Sequence, residues 1–508
     1  MKSVRRKPQA QPGNQPRRAA VRAVVCCLLI CHLLCAVGCL LKNNYPNLPR
    51  NFPAHTALNR QGKPPVILIP GVLGSQLINR RTGEKIWPSL GNAEDDSLAL
   101  PISSDNLADN TDDLIANEIL ETVKFGLLIP EISVYDGLVT ALQSYGSYRR
   151  GSFDAPGSDG DHDTLYVFAY DWRRDNVEAA RLLAQKIAAL KQKLGKPELR
   201  FDIIAHSMGG LVARYFAMYG DHDLPASGAP QPDWSGARHL NRLILMGTPN
   251  AGSMDALRTL VLGYSVTGTN RPRLGLLRQL DRDSVFTTPS AYQLLPRNAS
   301  ARFLDAQLAP LPVDLFAIDT WRKYKWSAAY NVRLSKSEMK KLKREGAGAI
   351  AQATDKLAAE RERFLRVALA RAAAFHRALD AVSTPPASLR LSLFGGDCED
   401  TLDAALIIPD PKTGQLLTLF QPARELGNRQ LRRRAHLAMF APGDGRVTRR
   451  SLFGLTIEPE AIEDGDGSPR AMKQRPLSVI FDCEIHGDLP LNTRLQNNLL
   501  TLLLGNSY

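Results

Sequence analysis

Arg200-Phe-Asp-Ile-Ile-Ala-His-Ser-Met-Gly-Gly-Leu-Val-Ala-Arg-Tyr-Phe216 is the stretch on which the fold turns. Residues 201–204 form a short apolar run, as a buried strand does. Leu211, Val212, Tyr215 and Phe216 then return at helical spacing. Between them lies Ala205-His-Ser-Met-Gly-Gly210, mostly small residues around one serine. Strand, sharp turn with a serine at its apex, then helix: this is the context of a nucleophile elbow. Small residues flank the serine because strand and helix approach closely there. The turn strains the serine backbone and lifts Oγ clear of the sheet. Gly commonly opens the motif, and Ala205 is the smallest other side chain. The competing reading is an ordinary Ser-Gly turn; the strand before it and the helix after it favour the elbow.

Working outward, Pro64-Pro-Val-Ile-Leu-Ile-Pro-Gly-Val-Leu-Gly-Ser75 is apolar without alternation until Pro70-Gly71 breaks it. Such a run is a strand buried on both faces, as in a parallel sheet. Further strands are expected at residues 164–170, 240–249, 389–394 and 476–481, and helices at 133–145, 177–194 (capped by Asn176) and 495–504. The alternation argues an α/β fold with a mainly parallel sheet. The rhythm breaks between residues 250 and 386. There the clearest element is a long helix over 354–381, with Phe364, Leu365, Ala368, Ala372 and Phe375 on one stripe. This reads as a helical cap or lid insertion. Trp321, Tyr324 and Trp326 among Arg322, Lys323 and Lys325 suit a lipid interface, or else a helix face packed on its own domain. Residues 402–446 read as a small β-rich excursion, with a hairpin turn at Pro411-Lys-Thr-Gly414 and a last strand at 436–440.

The chain has 508 residues, enough for a large core, and a net charge of +13. Seven of those charges are Lys2, Arg5, Arg6, Lys7, Arg17, Arg18 and Arg22, with no acid among residues 1–22. Residues 321–374 add 14 Lys/Arg against 5 Asp/Glu. A basic tail with one basic patch fits a membrane surface better than nucleic acid, which is not expected as a partner. Residues 24–41 are an apolar run, short for a spanning helix and suited to a signal segment. The run ends in Ala36-Val-Gly-Cys39, which is similar to a bacterial lipobox and makes Cys39 a lipidation candidate. A cleaved signal and an uncleaved anchor are the alternatives, and all three export the protein to the cell envelope. Five of the seven cysteines sit in this leader. Cys398 and Cys483 remain, as a disulfide or as two buried thiols. The organisation expected is a leader at 1–41, a Pro/Asn-rich linker at 42–63, a first core segment at 64–250, the cap insertion at 251–386 and a second core segment at 387–508.

A serine hydroxyl needs a base in contact and a third group to orient that base. After an elbow serine the partners follow as Asp/Glu and then His. His486 is the only histidine after residue 444. Asp444, in Gly443-Asp-Gly-Arg-Val-Thr448, is the favoured acid, because its flanking glycines allow a tight turn that presents the carboxylate. Asp397, in Phe394-Gly-Gly-Asp-Cys398, is the second candidate, and either aspartate could instead bond its own turn. Oxyanion stabilisation is best done by fixed backbone N–H groups. Those expected here belong to Met208, after the serine, and Val72, in the loop after the first strand. Gly-Asp-His-Asp occurs at 160–163 and 220–223 without the ligand spacing of a standard Ca²⁺ loop. No metal and no cofactor are expected.

Five motifs occur in a fixed order: Pro70-Gly-Val-Leu-Gly-Ser75, Tyr170-Asp-Trp-Arg173, Ala205-His-Ser-Met-Gly209, Pro289-Ser-Ala-Tyr-Gln-Leu-Leu-Pro296 and Gly443-Asp-Gly-Arg-Val447. Together, over residues 64–504, they resemble the lecithin:cholesterol acyltransferase family, which includes the lysosomal phospholipase A2 and phospholipid:diacylglycerol acyltransferase branches. With the lipobox-like leader, the resemblance points to a bacterial envelope member. It implies an α/β-hydrolase with a cap and lid, and lipid ester chemistry through an acyl-serine. Ser207, Asp444 and the amides of Val72 and Met208 match the family's catalytic positions. The family tends to place its histidine just before Leu-Asn; here Pro490 precedes Leu491-Asn492, and His486 stands upstream. The family's lid disulfide has no counterpart. The expectation is an exported, membrane-associated lipase or O-acyltransferase acting on lipid esters. The rivals are a non-catalytic envelope lipoprotein and a peptidase on the same fold.

Overall fold

The computed structural model describes residues 45–53, 62–89, 98–123, 132–264, 280–334, 336–454 and 478–505. The leader and Cys39 lie outside them, and the fold is that of the unit that begins at Leu48. Seven strands make the central sheet: β1 (Val66–Ile69), β2 (Arg149–Arg150), β3 (Thr164–Val167), β4 (Phe201–His206), β5 (Leu240–Met246), β6 (Arg390–Gly396) and β7 (Ser478–Asp482). Their spatial order is β7-β6-β5-β4-β1-β3-β2, and every pairing is parallel. Seven helices matter here: α1 (Asp136–Ser144), α2 (Asn176–Leu194), α3 (Met208–Tyr219), α4 (Met254–Leu262), α5 (Ala347–Leu379), α6 (Arg429–Met439) and α7 (Thr493–Leu504).

Strand periodicity explains the layering. Ile67, Ile69, Ile203, Ala205, Leu243 and Leu245 project into one apolar cluster, with α2, α3 and α5. Their neighbours Val66, Leu68, Ile204, Ile244 and Met246 project into a second, with α1 and α7. Both faces are covered, so the strands read as unbroken apolar runs. A parallel sheet between two helical layers, with the serine on the β4–α3 turn, is the α/β-hydrolase fold. The C-terminal ends of β1, β4, β5, β6 and β7 all open onto one edge, where ligands bind in such sheets.

Several local expectations are corrected. Asp175, not Asn176, caps α2, its carboxylate accepting from the Val177 N–H at 3.0 Å. The helix expected at 133–145 begins at Asp136, because Ile132–Ser133 pairs as a strand with Thr122–Val123. The stretch 251–386 is mostly helical, but it carries the strand Arg302–Leu304. That strand pairs in parallel with Ala404–Pro409, which pairs antiparallel with Leu416–Leu419 across the expected hairpin turn. Insertion and excursion therefore share one small sheet. The last strand expected at 436–440 is mostly the end of α6. Asn428 caps that helix, and Ala435 and Met439, one turn apart, form its buried edge.

The aromatic cluster is also reassigned. Trp321 and Trp326 are buried, their indole N–H groups donating to Leu315 O and Thr418 Oγ1, each at 2.7 Å. They pack edge to face, 5.8 Å apart. They are core residues, not a lipid-facing rim. Among the described residues, no helix is long and apolar enough to cross a membrane.

Candidate active site

Ser207 sits between β4 and α3 with φ 54° and ψ −127°. A non-glycine residue there carries roughly 1–3 kcal/mol of backbone strain, which the surroundings must hold. They do so through the Ser207 N–H, which donates to Met246 O at 2.8 Å, and through close packing. A Cβ on Gly209 would lie 2.3 Å from Pro70 O, and one on Gly210 would lie 1.9 Å from Thr248 Oγ1. The two glycines are thus required by the approach of α3 to the β1 and β5 loops.

The candidate base comes from the far edge of the sheet. After β7 the chain enters a 3-10 turn, His486–Leu491. His486 Nε2 lies 2.8 Å from Ser207 Oγ, and Nδ1 lies 2.8 Å from Asp444 Oδ2. Asp444 is 2% exposed. Its other oxygen, Oδ1, accepts from the Arg446 and Val447 N–H groups at 3.0 and 2.7 Å. Its carbonyl accepts the His486 N–H at 2.8 Å. An ionised carboxylate only accepts, so Nδ1 carries the imidazole proton and Nε2 is left to accept the serine proton. Asp397, the second candidate acid, lies away from this arrangement and is 4.0 Å from Arg449.

A covalent link joins the two loops behind these side chains. Cys398 and Cys483 are disulfide-bonded, so the thiol alternative falls. Cys483 stands three residues before His486. Cys398 immediately precedes the strand Glu399–Leu402, which pairs with Phe440–Gly443 just ahead of Asp444. The bond spans 85 residues. Its loss, in a Cys398→Ser/Cys483→Ser double variant, is expected to cost ~2–5 kcal/mol of stability. Chemical denaturation with and without reductant measures this; an unchanged midpoint would contradict it.

For an oxyanion, two amides are available. Met208 is the first residue of α3, where an N–H has no intrahelical acceptor. Val72 follows Gly71, which packs against Ser207. Among the described residues, neither amide donates to a protein acceptor.

A second network was not foreseen from the sequence. The Gly71 N–H donates to Tyr135 Oη at 2.9 Å, Tyr135 Oη lies 2.8 Å from His206 Nδ1, and His206 Nε2 lies 3.1 Å from His486 O. Burial and the neighbouring His486 push the His206 pKa down to about 3. The only signal in the sequence was a histidine beside the elbow serine; nothing marked Tyr135.

Ser207 and His486 open into a cavity of about 240 Å³. Its walls are largely apolar, among them Trp87, Leu120, Val123, Trp172 and Leu294. The Tyr170-Asp-Trp-Arg motif supports this wall rather than the chemistry. Trp172 meets Trp87 edge to face at 5.9 Å. Arg173 is fully buried, held by Asp112 at 2.6 and 2.9 Å and by Asp171 at 2.8 and 3.0 Å. Burial alone would lower its pKa, but the two carboxylates raise it on balance. The ion pair of Arg446 with Asp255, together with Asp488, interrupts the apolar lining. The site can therefore generate an alkoxide-like nucleophile beside an apolar chain-sized space.

Comparison with known proteins finds similarity to one described family. Residues 158–355 match the family model described as lecithin:cholesterol acyltransferase. That span includes Ser207 and ends before Asp444 and His486. The chain is similar to the lysosomal phospholipase A and acyltransferase of Rattus norvegicus, 28% identical over 48% of this chain and 60% of the relative. The Bos taurus protein of the same name is 26% identical over 54% of this chain and 69% of its own length. The chain thus spans three fifths of the length of the rat relative. Among solved structures, one titled "The crystal structure of Tle4-Tli4 complex" aligns over 88% of this chain and 99% of its own. Its identity is 13% and its TM-score 0.43.

Proposed function

We propose that this chain, which belongs to the lecithin:cholesterol acyltransferase-like family, is a serine lipase or O-acyltransferase that acts on lipid esters through an acyl-serine. The observation that carries the reading is the pair of 2.8 Å hydrogen bonds joining Ser207, His486 and Asp444, with Ser207 and His486 lining a largely apolar cavity. Ser207 Oγ attacks the ester carbonyl carbon as His486 Nε2 takes its proton. Asp444 holds the ring and stabilises the imidazolium. The oxyanion lies against the N–H groups of Val72 and Met208. His486 returns the proton to the departing alcohol, and the acyl group stays on Ser207. His486 Nε2 then takes a proton from water or a lipid alcohol as its oxygen attacks the acyl carbon, and returns that proton to Ser207 Oγ as the acyl–serine bond breaks. The two outcomes differ only in which nucleophile reaches the acyl-serine. The named relatives are described as both phospholipase and acyltransferase, and both outcomes come to this chain as proposals.

The test is incubation with vesicles of phospholipid, triacylglycerol and sterol, followed by lipid analysis. Free fatty acid or a new ester is expected; neither forming would contradict the lipid assignment.

Residues 1–41 serve in this reading as an export leader that brings the site to a membrane surface. The Cys398–Cys483 disulfide supports export, because such bonds persist in oxidising compartments. Ala36-Val-Gly-Cys39 supports lipidation at Cys39. Mass spectrometry of the mature N-terminus is expected to find a lipid-modified Cys39; an unmodified mature terminus would sink the lipoprotein reading.

A further inference from the structure

We propose that Tyr135 and His206 are positioning residues for the reaction: they strap the loop that bears the oxyanion amide to the backbone of the base. The proposal rests on the reading of Ser207, His486 and Asp444 as nucleophile, base and acid.

The directions of the hydrogen bonds follow from the groups at each end. The Gly71 N–H can only donate, so Tyr135 Oη accepts it at 2.9 Å. The His486 carbonyl can only accept, so His206 Nε2 carries a proton and donates it at 3.1 Å. The ring is buried and neutral, its pKa pushed down to about 3. Its Nδ1 is therefore bare, and it accepts the Tyr135 hydroxyl proton at 2.8 Å. Every donor and acceptor in the chain Gly71–Tyr135–His206–His486 is used once, and only one tautomer of His206 satisfies it. Tyr135 and His206 are 2% and 6% exposed, so water does not readily replace either bond.

This path fixes what the other contacts leave free. Asp444 holds the Nδ1 and the backbone N–H of His486. The His486 carbonyl is held by His206 instead, with the two rings 5.0 Å apart. His206 is also the residue before Ser207 and pairs with Met246 at the end of β4, so it is anchored on the rigid sheet. At the far end, Tyr135 steadies Gly71, next to Val72. One buried network thus ties the base to the oxyanion loop through the residue beside the nucleophile. Displacing a reacting group by about 1 Å can cost ~10²-fold in rate.

The test uses the full chain and p-nitrophenyl butyrate as the probe ester. Tyr135→Phe deletes one hydroxyl and is expected to lower kcat by ~10–100-fold with little change in KM. It should also shift the limb of the kcat/KM pH profile that reports the base. His206→Gln keeps an N–H donor near the Nε2 position, whereas His206→Leu has none. Gln is expected to retain roughly tenfold more activity than Leu. If Tyr135→Phe does not fold, the Gln and Leu pair decides. Folded variants with wild-type kcat and an unshifted pH limb, or Gln no better than Leu, would reduce both residues to packing and overturn the proposal. Fluorophosphonate labelling of the wild-type chain separates the two readings. Labelling at Ser207 with unaltered variants overturns the positioning role alone, and no wild-type labelling overturns the serine mechanism and this proposal with it.

Discussion

Ser207→Ala is expected to lower ester turnover about 10⁶-fold while leaving the protein folded. In the proposed mechanism Ser207 Oγ is the atom that carries the acyl group, so its loss removes the acyl-enzyme route entirely. The cavity and the oxyanion amides are then left to act on water alone. Stability should hardly move. Ser207 Oγ has His486 as its one hydrogen-bond partner among the described residues, and alanine meets the same positive φ. Turnover of p-nitrophenyl butyrate and the thermal midpoint measure the two effects. A fall of less than about tenfold would remove Ser207 from the nucleophile role.

The second large effect is expected at Asp444, where asparagine should cost about 10⁴-fold in kcat. Oδ1 accepts two backbone N–H groups of its own turn, from Arg446 and Val447. An asparagine carbonyl can keep those bonds, which turns its NH2 group towards His486 Nδ1. Nδ1 must then accept, and the ring proton moves to Nε2. A protonated Nε2 cannot take the Ser207 proton. The shape is conserved while the tautomer is wrong, so the loss should appear in kcat with the fold intact. Asp397→Asn is the control, since Asp397 stands beside Arg449. Its kcat should stay within about twofold of wild type; the reverse pattern would transfer the acid role to Asp397.

The elbow, the parallel sheet and the order Ser207, Asp444, His486 were legible because each leaves a local mark. Buried parallel strands are continuous apolar runs, the elbow needs small residues around its serine, and His486 has no downstream competitor. Glycines on both sides of Asp444 favoured it over Asp397 in the sequence, and in space Asp444 reaches His486 while Asp397 stands beside Arg449. The illegible parts depended on distant pairing. Arg302–Leu304 is three residues long and is a strand only because Ala404–Pro409 lies beside it. The aromatics at 321 and 326 sit among cations in sequence, yet their rings turn inward while Arg322 pairs outward with Glu362. α6 carries so many arginines that its apolar edge shrinks to Ala435 and Met439. Tyr135 was invisible because its role lies in one hydroxyl placed between residues 64 and 71 positions away.

The family match reaches residue 355, so it bears on Ser207 and not on the acid or the base. Those two rest on geometry, and the mechanism stands only if all three act as one unit. Fluorophosphonate labelling followed by peptide mass spectrometry decides whether they do. A single adduct on Ser207 is expected in the folded wild-type chain, with labelling slowed by orders of magnitude in His486→Ala. No adduct, or one on Ser207 that forms as fast without His486, would overturn the mechanism and leave a hydrolase fold without the chemistry.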